Sequence, residues 1–449
     1  MKHSLKKYLV VGTGLITAGT TTSVWAGGFQ LNEQSVSSQG TGFAGRSSNV
    51  SDATILHGNP AGITYLDRPM ITVGGTYIDA HTSVSDSQGS LNLNGRPVQP
   101  TQGSAGRNPV PGTLVPFGFF TTPIDDHWAT GIGIYSPFGL QTDYGESFKG
   151  RYFGDFTSVK VITVQPTIAY KFNEQWSVGL GITYNHIDGE VRSFTPDASG
   201  LAGMAGVPGA SPMGEGRVNV QGDDEAWGVN LGVMYRPTTT TTLGLRWRSK
   251  VSYHLKGDVY YSRVAGQGQP SATNPLGVGS IRRDGRLSIG TPELFDFSVT
   301  QLINDDWRVM AGVTWVHWSE FRDINVYPAG APNIKEDQFY KNSWQFALGT
   351  SYQVNSDWVL RGGLSYDRTP SRDSYRSVRI PSDDRYAVSV GAGWQPSEHW
   401  KLDVAYSFLY EPHTDISQSH DYGSGISADY SARYHNKAHA FGAQLSYLF

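Results

Sequence analysis

The chain has 449 residues, including 54 glycines and no cysteine, and its net charge is −4. There is no basic surplus that would point to nucleic acid, and without cysteine neither a disulfide nor a thiolate metal site can form. The mean hydropathy of −0.35 fits a soluble protein. It fits a membrane β-barrel equally well, because each barrel strand turns one apolar face to lipid and one polar face to the lumen.

The first residues have the features of a secretory signal peptide. Three lysines lie within residues 1–7, a short apolar run covers residues 8–18, and residues 24–26 suit cleavage after Ala26. The apolar run is shorter than the roughly 20 residues that a membrane-spanning helix needs, which makes a membrane anchor the weaker alternative. We predict a cleaved signal peptide over residues 1–26. Without a later helical span, the chain would cross a membrane as a barrel.

Residues 27–68 are rich in glycine, serine and asparagine and lack the period of a strand. This composition fits a disordered lead. It also fits a plug folded inside the lumen, since a wide barrel would otherwise enclose a water channel. Asn59-Pro60 within the segment could be an ordinary turn, because Asn-Pro is a common turn starter. Composition alone leaves these alternatives open.

One unit recurs along the rest of the chain: two or three turn-forming residues, a tryptophan, and then an alternating strand. Asn, Asp and Ser stabilise tight turns because their side chains bond their own backbone, and a tryptophan beside the turn suits a membrane interface. After Trp176, large apolar residues alternate with small or polar ones, which is the period of a β-strand. The units lie at residues 125–128, 173–176, 304–307, 355–358 and 397–400.

Long polar connections alternate with these short turns, as in outer-membrane barrels. A soluble β-sandwich would also alternate, but it would not explain a tryptophan at each turn. We therefore predict an all-β fold, a transmembrane antiparallel β-barrel of about fourteen strands over residues 69–449. The alternating aromatic strand that ends on Phe449 is typical of outer-membrane proteins. The strands are expected to start near Pro69, Gly112, Trp128, Ser158, Trp176, Arg217, Thr241, Arg282, Trp307, Gln338, Trp358, Val378, Trp400 and Arg433.

Four segments carry a resemblance to a known family. Residues 28–33 read Gly-Phe-Gln-Leu-Asn-Glu, residues 59–64 read Asn-Pro-Ala-Gly-Ile-Thr, residues 136–140 read Ser-Pro-Phe-Gly-Leu and residues 380–385 read Ile-Pro-Ser-Asp-Asp-Arg. Together with the order of the turn–tryptophan strands, they resemble the long-chain fatty acid transporter family of outer membranes. The resemblance covers nearly the whole chain, and the Asn-Pro-Ala motif is its most specific element.

The resemblance implies a barrel of about fourteen strands with an N-terminal hatch (plug) inside the lumen over residues 27–68. It implies passive uptake of a long-chain fatty acid or a related hydrophobic compound, without an energy source. The ligand would bind in an apolar lumen site and leave sideways through a gap in the wall. Because the family also includes members that take up aromatic hydrocarbons, the choice between a fatty acid and a hydrocarbon stays open.

The strand that follows Trp128 contains a proline that disturbs its ladder. Proline donates no backbone hydrogen bond and is confined to the edges, ends and bulges of sheets, and Gly139 also marks a bulge. With the resemblance, this predicts that Ser136, Pro137, Phe138 and Gly139 form an inward kink that is the lateral opening. The alternative is that the strand has ended and Pro137 begins an extracellular loop.

The resemblance also implies roles for residues of the hatch. Asn59, Pro60 and Ala61 would form a gating element beside the wall gap, whose movement couples binding to release. Phe29 would reach up into the ligand site, where an aromatic ring supplies apolar contact.

A carboxylate headgroup would need a cation on the inward face of the wall. The period of two places Arg385 and Lys341 inward, and Arg385 leads because it lies in the family-like segment 380–385. Arg192 is a weaker third candidate. Salt-bridged arginines that bind nothing are also common in barrel lumens. The other arginines with inward parity are Arg246, Arg248, Arg308 and Arg361.

The sequence has no nucleophile elbow, zinc-protease motif or phosphate-binding glycine loop. We therefore expect neither an enzyme nor a metal or a cofactor. The expected partners are a long-chain fatty acid or another hydrophobic small molecule, together with the lipid and lipopolysaccharide of the bacterial outer membrane. We expect a monomer that binds no nucleic acid. The alternative function is a general diffusion porin or a structural outer-membrane barrel with a disordered lead.

Overall fold

The alternation of side chains after residue 69 produces a wall of antiparallel strands in the computed structural model, which describes residues 28–423 and 425–449. The predicted signal peptide, residues 1–26, lies outside the described residues. No helix in these ranges is long and apolar enough to span a membrane. The strands are β1 Met70–Leu93, β2 Arg96–Pro100, β3 Thr113–Pro123, β4 Trp128–Asp143, β5 Phe156–Lys171, β6 Trp176–Thr195, β7 Gly216–Tyr235, β8 Thr241–Arg248, β9 Val251–Val264, β10 Gly279–Thr291, β11 Leu294–Leu302, β12 Trp307–Val316, β13 Asp323–Pro328, β14 Ile334–Asp337, β15 Ser343–Gln353, β16 Trp358–Asp367, β17 Arg385–Trp394, β18 Trp400–Gly423 and β19 Ile426–Leu448. The helical turns are Val36–Gln39, Ile55–Gly58, Pro60–Tyr65, Ala198–Met204, Trp318–Glu320 and Asp373–Tyr375.

The described strands form a closed barrel with 14 crossings of the wall, each paired with the next in sequence. β2 is not a crossing, because it folds back on the outer part of β1 as a hairpin. Four crossings are each split into two strands: β8 with β9, β10 with β11, β12 with β13, and β14 with β15. β1 pairs with β19 from Met70–Leu448 to Leu93–Ile426, and this pairing closes the wall. The predicted fold class is confirmed.

The two faces of the wall meet different environments, as β6 illustrates. Trp176, Val178, Leu180 and Ile182 are exposed, and the residues between them are buried toward the lumen. Exposed apolar side chains recur in this way on the other crossings and form an outer band that lipid would cover.

Asparagine and aspartate side chains shape the short turns that precede the tryptophans. The Asn173 side-chain oxygen accepts hydrogen bonds from the backbone N–H groups of Gln175 and Trp176, each at 2.9 Å. Asp125 accepts the equivalent pair in the first turn of this kind. Trp176 then stacks on Tyr235 of the neighbouring strand, with ring centroids 4.1 Å apart. These turns and rings define one end of the barrel, called the short-turn end below.

Most predicted strand starts agree with the structure. Twelve of the fourteen begin within four residues of the predicted position. The last strand begins at Ile426, earlier than the predicted Arg433, because it pairs with β18 along the whole of a long hairpin.

The strand predicted from Val378 is wrong, since the ladder begins only at Arg385. Val378 is instead fully buried in a segment that folds inward, and its carbonyl accepts a hydrogen bond from the Tyr144 hydroxyl at 2.8 Å. Pro381 in the same segment has no N–H to donate to a ladder. The apolar residues that suggested a strand therefore belong to a loop whose side chains are buried.

Residues 28–68, called the plug below, fill the short-turn half of the lumen. Ser35 caps the first helical turn through a hydrogen bond from Ser38 N, and Asn59 caps the turn that begins at Pro60. The plug is also tied to the wall: the backbone N–H of Val36 donates to the Gln444 side chain at 2.8 Å. This segment is folded and almost entirely buried, so the disordered-lead alternative does not hold for residues 28–68.

Candidate functional site

The wall is interrupted where β4 passes Pro137. The ladder between β3 and β4 stops at the Gly118–Ile134 pair, and the register of β4 against β5 shifts between Tyr135 and Phe138. Residues 135–140, called the kink below, are all buried, whereas a regular wall strand alternates between buried and exposed positions. The kink therefore turns into the lumen.

The plug supplies the hydrogen-bond partners that the kink has lost from the wall. Leu31 N donates to the Pro137 carbonyl, and Gly139 N donates to the Phe29 carbonyl, both at 2.9 Å. The Gln34 side chain donates to a further carbonyl of the kink, that of Ser136, at 2.6 Å. Buried backbone groups need such partners, so the beginning of the plug takes the place that a neighbouring strand has elsewhere in the wall.

Aromatic rings meet where the plug and the kink join. The ring centroid of Phe29 lies 5.6 Å from that of Phe138, 4.9 Å from that of Trp318 and 5.7 Å from that of Phe321. Tyr340 extends the group, with its ring centroid 5.8 Å from that of Trp318. These five buried residues, called the aromatic floor below, form one contact group at this junction.

An apolar cavity of about 730 Å³, which includes space open to solvent, is lined by Phe29 and Phe321 of the aromatic floor. Its lining is mainly apolar with a few polar groups, as in small-molecule pockets. The apolar lining includes Phe29, Leu140, Ile187, Leu255, Leu287 and Phe321. Charged residues also line the cavity, namely Glu190, Lys256, Asp258, Arg286 and Arg379.

Arg379 is a cavity residue that the sequence analysis missed. Its Nε donates to Glu336 at 2.8 Å and its Nη1 to the Thr157 hydroxyl at 3.0 Å. It lies in the inward-folded segment that the sequence had suggested to be a strand, so parity could not place it. In the sequence, Pro381 was the signal against a regular strand here, because proline donates no hydrogen bond to a ladder.

Three cations were predicted to bind the headgroup: Arg385, Lys341 and Arg192. Among the residues that the structure describes, none of the three lines this cavity. Arg385 is buried and forms an ion pair with Asp367, with 2.9 Å between Nη2 and Oδ2. It lines a separate cavity of about 280 Å³. Arg192 lies over the Phe156 ring, with its Cζ 3.9 Å from the ring centroid. Lys341 is half-buried in the connection between β14 and β15. Of the predicted ligand residues, the structure brings Phe29 to the cavity.

The Asn-Pro-Ala motif is placed against β6 and β7. The Asn59 amide donates to the Ser47 carbonyl at 2.7 Å and to the Val233 carbonyl at 3.0 Å, and its oxygen accepts from Ala61 N. Pro60 abuts the wall at Gly179. The motif thus joins two parts of the plug to the wall, on strands other than the kinked one.

His57 links this part of the plug to the kink. Its ring centroid lies 4.7 Å from that of Tyr135. Burial, and then the guanidinium groups of Arg246, Arg248 and Arg46, hold the pKa of His57 well below its usual range. His57 is therefore neutral at physiological pH and adds no charge to the interior. In the ranges that the structure describes, no cluster of His, Asp or Glu side chains could hold a metal ion.

Comparison with known proteins gives one family and consistent relatives. The family model of the outer membrane protein transport protein (OMPP1/FadL/TodX) matches residues 17–449. The long-chain fatty acid transport protein of Escherichia coli O6:H1 is 28% identical over 99% of this chain and 98% of its own length. Outer membrane protein P1 of Haemophilus influenzae strain Rd is 26% identical over 94% of this chain and 95% of its own length.

Solved structures share the fold. A FadL homologue of Pseudomonas aeruginosa superposes with a TM-score of 0.81 at 23% identity, over 94% of this chain and 99% of that one. The toluene transporter TbuX of Ralstonia pickettii superposes with a TM-score of 0.63 at 19% identity, over 92% of this chain and 97% of that one. These likenesses cover the barrel and its interior segment together.

Proposed function

This chain belongs to the outer membrane protein transport family described as OMPP1/FadL/TodX, and we propose that it takes up long-chain fatty acids or related hydrophobic compounds by passive transport. The ligand binds in the apolar cavity, passes the aromatic floor and leaves through the kink into the outer membrane. The protein is an outer-membrane barrel of a family of hydrophobic-compound transporters.

The observation that carries the proposal is the position of the apolar cavity directly beside the kink. Phe29 lines the cavity and also bonds to the kink through its carbonyl. Leu140, the last residue of the kink, lines the same cavity. An apolar ligand that leaves here enters lipid without crossing water, which avoids a cost of about 0.8 kcal/mol for each exposed CH₂ group.

The plug occupies the axial route toward the short-turn end. This blockage supports lateral release. Ser47 of the plug bonds to the Gly244 carbonyl at 3.1 Å and to the Ser298 hydroxyl at 2.8 Å. Lys401 of the wall donates to the Ser51 carbonyl at 3.0 Å. A general diffusion porin would need this half of the lumen open, which makes the porin the weaker candidate.

Asn59, Pro60 and Ala61 act in this proposal as the hatch element that holds the plug to the wall. The hydrogen bonds of Asn59 join two plug segments to β7, so a displacement of the motif would loosen the plug from this part of the wall. No catalytic step is proposed, in keeping with relatives that are named as transport proteins.

Two measurements on the purified full chain test the proposal together. In a planar bilayer we expect no steady current of small ions. In lipid vesicles we expect the protein to bind dodecanoate and to speed its uptake without any energy source. A steady open-channel current would support the diffusion porin instead, and a barrel that binds neither dodecanoate nor toluene would overturn the transporter proposal.

A further inference from the structure

Arg248, at the end of β8, is a buried cation without an anion among the residues that the structure describes. Its relative exposure is 6%, its Nη2 has no hydrogen-bond acceptor, and no ion pair to it is found among the described residues. Two other buried arginines of the wall differ in this respect: Arg361 is paired with Asp403 and Arg385 with Asp367. An unpaired charge in a protein interior is strongly unfavourable, so the site around Arg248 lacks its complement.

The position of Arg248 connects it to the proposed route of the ligand. Its guanidinium carbon lies 4.6 Å from the centroid of the Phe138 ring, inside the kink. The Trp318 ring is 6.2 Å from the same ring, and its buried Nε1 also has no acceptor. Two donors without acceptors therefore flank one ring, at the boundary between the apolar cavity and the wall opening.

The groups that face Arg248 make this place electropositive. Arg46 and Arg246 act on it as like charges from the plug and the wall. The neighbouring His57 is neutral, for the reason given above. The hydroxyls of Tyr135 and Tyr253 are within electrostatic range and are not anions at physiological pH.

The nearby carboxylates are already engaged. Asp296 accepts a hydrogen bond from the Thr314 hydroxyl at 2.6 Å and lies in electrostatic range of Arg246. Asp367 lies in electrostatic range of Arg46 and is paired with Arg385. In a low-dielectric interior, the field of the arginines is weakly screened, and it favours an incoming anion at Arg248.

A carboxylate would supply the hydrogen-bond acceptor and the negative charge that the site around Arg248 lacks. It is an acceptor-only group with two oxygens, and a guanidinium binds such a group through two parallel N–H donors. A hydrocarbon chain attached to the carboxylate would suit the aromatic floor and the cavity above it. A neutral hydrocarbon would leave Arg248 unpaired.

We propose that Arg248 binds the carboxylate of a fatty acid at the aromatic floor, where the ligand passes from the apolar cavity to the kink. The inference rests on the proposed transport function and sharpens it, because it selects carboxylate-bearing chains over neutral hydrocarbons of the same length. Arg248 thereby becomes a specificity-determining residue of the transport route.

The test compares two ligands that differ only in the headgroup. Binding of dodecanoate and of 1-dodecanol to the purified full chain in detergent is measured at mildly alkaline pH for the wild type, Arg248→Met and Arg248→Lys. We expect Arg248→Met to weaken dodecanoate binding about 10- to 100-fold, as for the loss of a charge-assisted hydrogen bond, and to change 1-dodecanol binding less than about threefold. Arg308→Met is the matched control, because Arg308 is also an inward-facing arginine but bonds to Asn49 of the plug.

Thermal stability distinguishes a ligand-binding role of Arg248 from a purely structural one. Because Arg248 has no counter-ion, its removal is expected to leave the melting temperature of the empty barrel unchanged or higher. Dodecanoate should raise the melting temperature of the wild type and fail to raise that of Arg248→Met. Should the methionine variant not fold, Arg248→Lys makes the same comparison, since it keeps the charge but loses the paired donors; it should weaken dodecanoate binding alone.

Equal weakening of both ligands by Arg248→Met, or unchanged dodecanoate binding, would overturn the inference. It would also fail if Arg308→Met weakened dodecanoate binding as much as Arg248→Met did. A wild-type protein that bound neither ligand would instead contradict the proposed function itself, so the two failures are distinguishable.

Discussion

The two halves of the lumen differ in the side chains that the wall directs inward. In the short-turn half, the inward positions next to the plug include glycines at which an added methyl group would collide with the plug backbone or side chains. In the half with the cavity, the lining includes aliphatic side chains, and its glycines lie against neighbouring wall strands and not against the plug. The glycines are Gly179, Gly232, Gly244, Gly349 and Gly363. The aliphatic residues are Val159, Ile187, Leu255 and Leu287.

This difference shows that one crossing of the wall can face the plug along one part and the cavity along another. Along β8 and β9, Gly244 lies against the plug backbone at Ser47, whereas Leu255 lines the cavity. Glycine allows close approach of a second backbone, and leucine offers apolar surface to a ligand. The wall therefore specifies by its inward side chains where protein fills the lumen and where space is kept.

The largest effect is expected at the kink, which forms the boundary between the halves. The double variant Pro137→Val with Gly139→Val should restore a regular ladder, because valine supplies an N–H and favours extended backbone. Uptake of dodecanoate into vesicles should then fall to background, while binding in the cavity persists. The control is Pro166→Val, at a proline of β5 where the pairing with β6 is also interrupted. Unchanged uptake in the double variant would rule out release through the kink.

The fit of the plug to the wall gives the next effect. Gly363→Ala would place a methyl group against the plug backbone at Thr41. Overpacking of this kind lowers the free energy of unfolding by about 1–3 kcal/mol, and displacement of the plug should produce a small-ion current in a planar bilayer. Gly362→Ala is the adjacent control, because the space around Gly362 is open. Identical stability and conductance in both variants would mean that the plug does not depend on this contact.

The cavity half is tested by a pair of leucines from the same crossing. Leu255→Ala removes apolar surface from the cavity lining and should weaken dodecanoate binding by about 1–2 kcal/mol. Leu245→Ala should leave binding unchanged, because Leu245 is 45% exposed on the outer face. Isothermal titration of both variants decides the matter. If the two lost affinity alike, the ligand would have to bind elsewhere.

The smallest effect concerns the long loops at the end of the barrel opposite the short turns. Burial tends to raise the pKa of Glu215, but hydrogen bonds from Arg151 and Tyr152 outweigh it and hold that pKa below its usual range. The stabilisation of this contact is therefore complete above the unfolded pKa of about 4.3 and is lost as the pH falls through the lower folded value.

Limited proteolysis of the loop at residues 205–215 should accordingly become faster in acid. Glu215→Gln should raise cleavage at neutral pH and remove most of its dependence on pH, while the barrel stays folded. Glu174→Gln is the control, since Glu174 is 86% exposed beside a short turn. Cleavage that stayed pH-dependent in Glu215→Gln would assign the effect to another group.

The wall could be predicted from the sequence because its signals are local. The turn at Asn173 and the alternation after Trp176 depend on neighbouring residues only, and the observed strand begins at Trp176 as predicted. Val378 misled the prediction, since an apolar stretch gives the same pattern whether a strand or a buried loop uses it.

The contents of the lumen were less accessible to sequence reasoning. Proline chemistry predicted a ladder break at Pro137, and the structure has one there. Parity marked Arg248, Arg361 and Arg385 alike as inward. It could not show which of them has a carboxylate partner, because Asp403 and Asp367 come from other strands whose register fixes the pairs.

The contacts between the plug and β19 have a consequence for folding kinetics. Val36 and Gln39 bond to Gln444 and Ala440, and β19 is also the strand that closes the wall against β1. These contacts join parts of the chain that are about 400 residues apart in sequence, and such non-local contacts form slowly because a long loop must close first. The plug is made early by the ribosome, yet its partners in β19 are made last. The contacts of the plug with β19 and the closure of the barrel therefore both wait for the last strand, and until that strand is in place β1 has an unpaired edge.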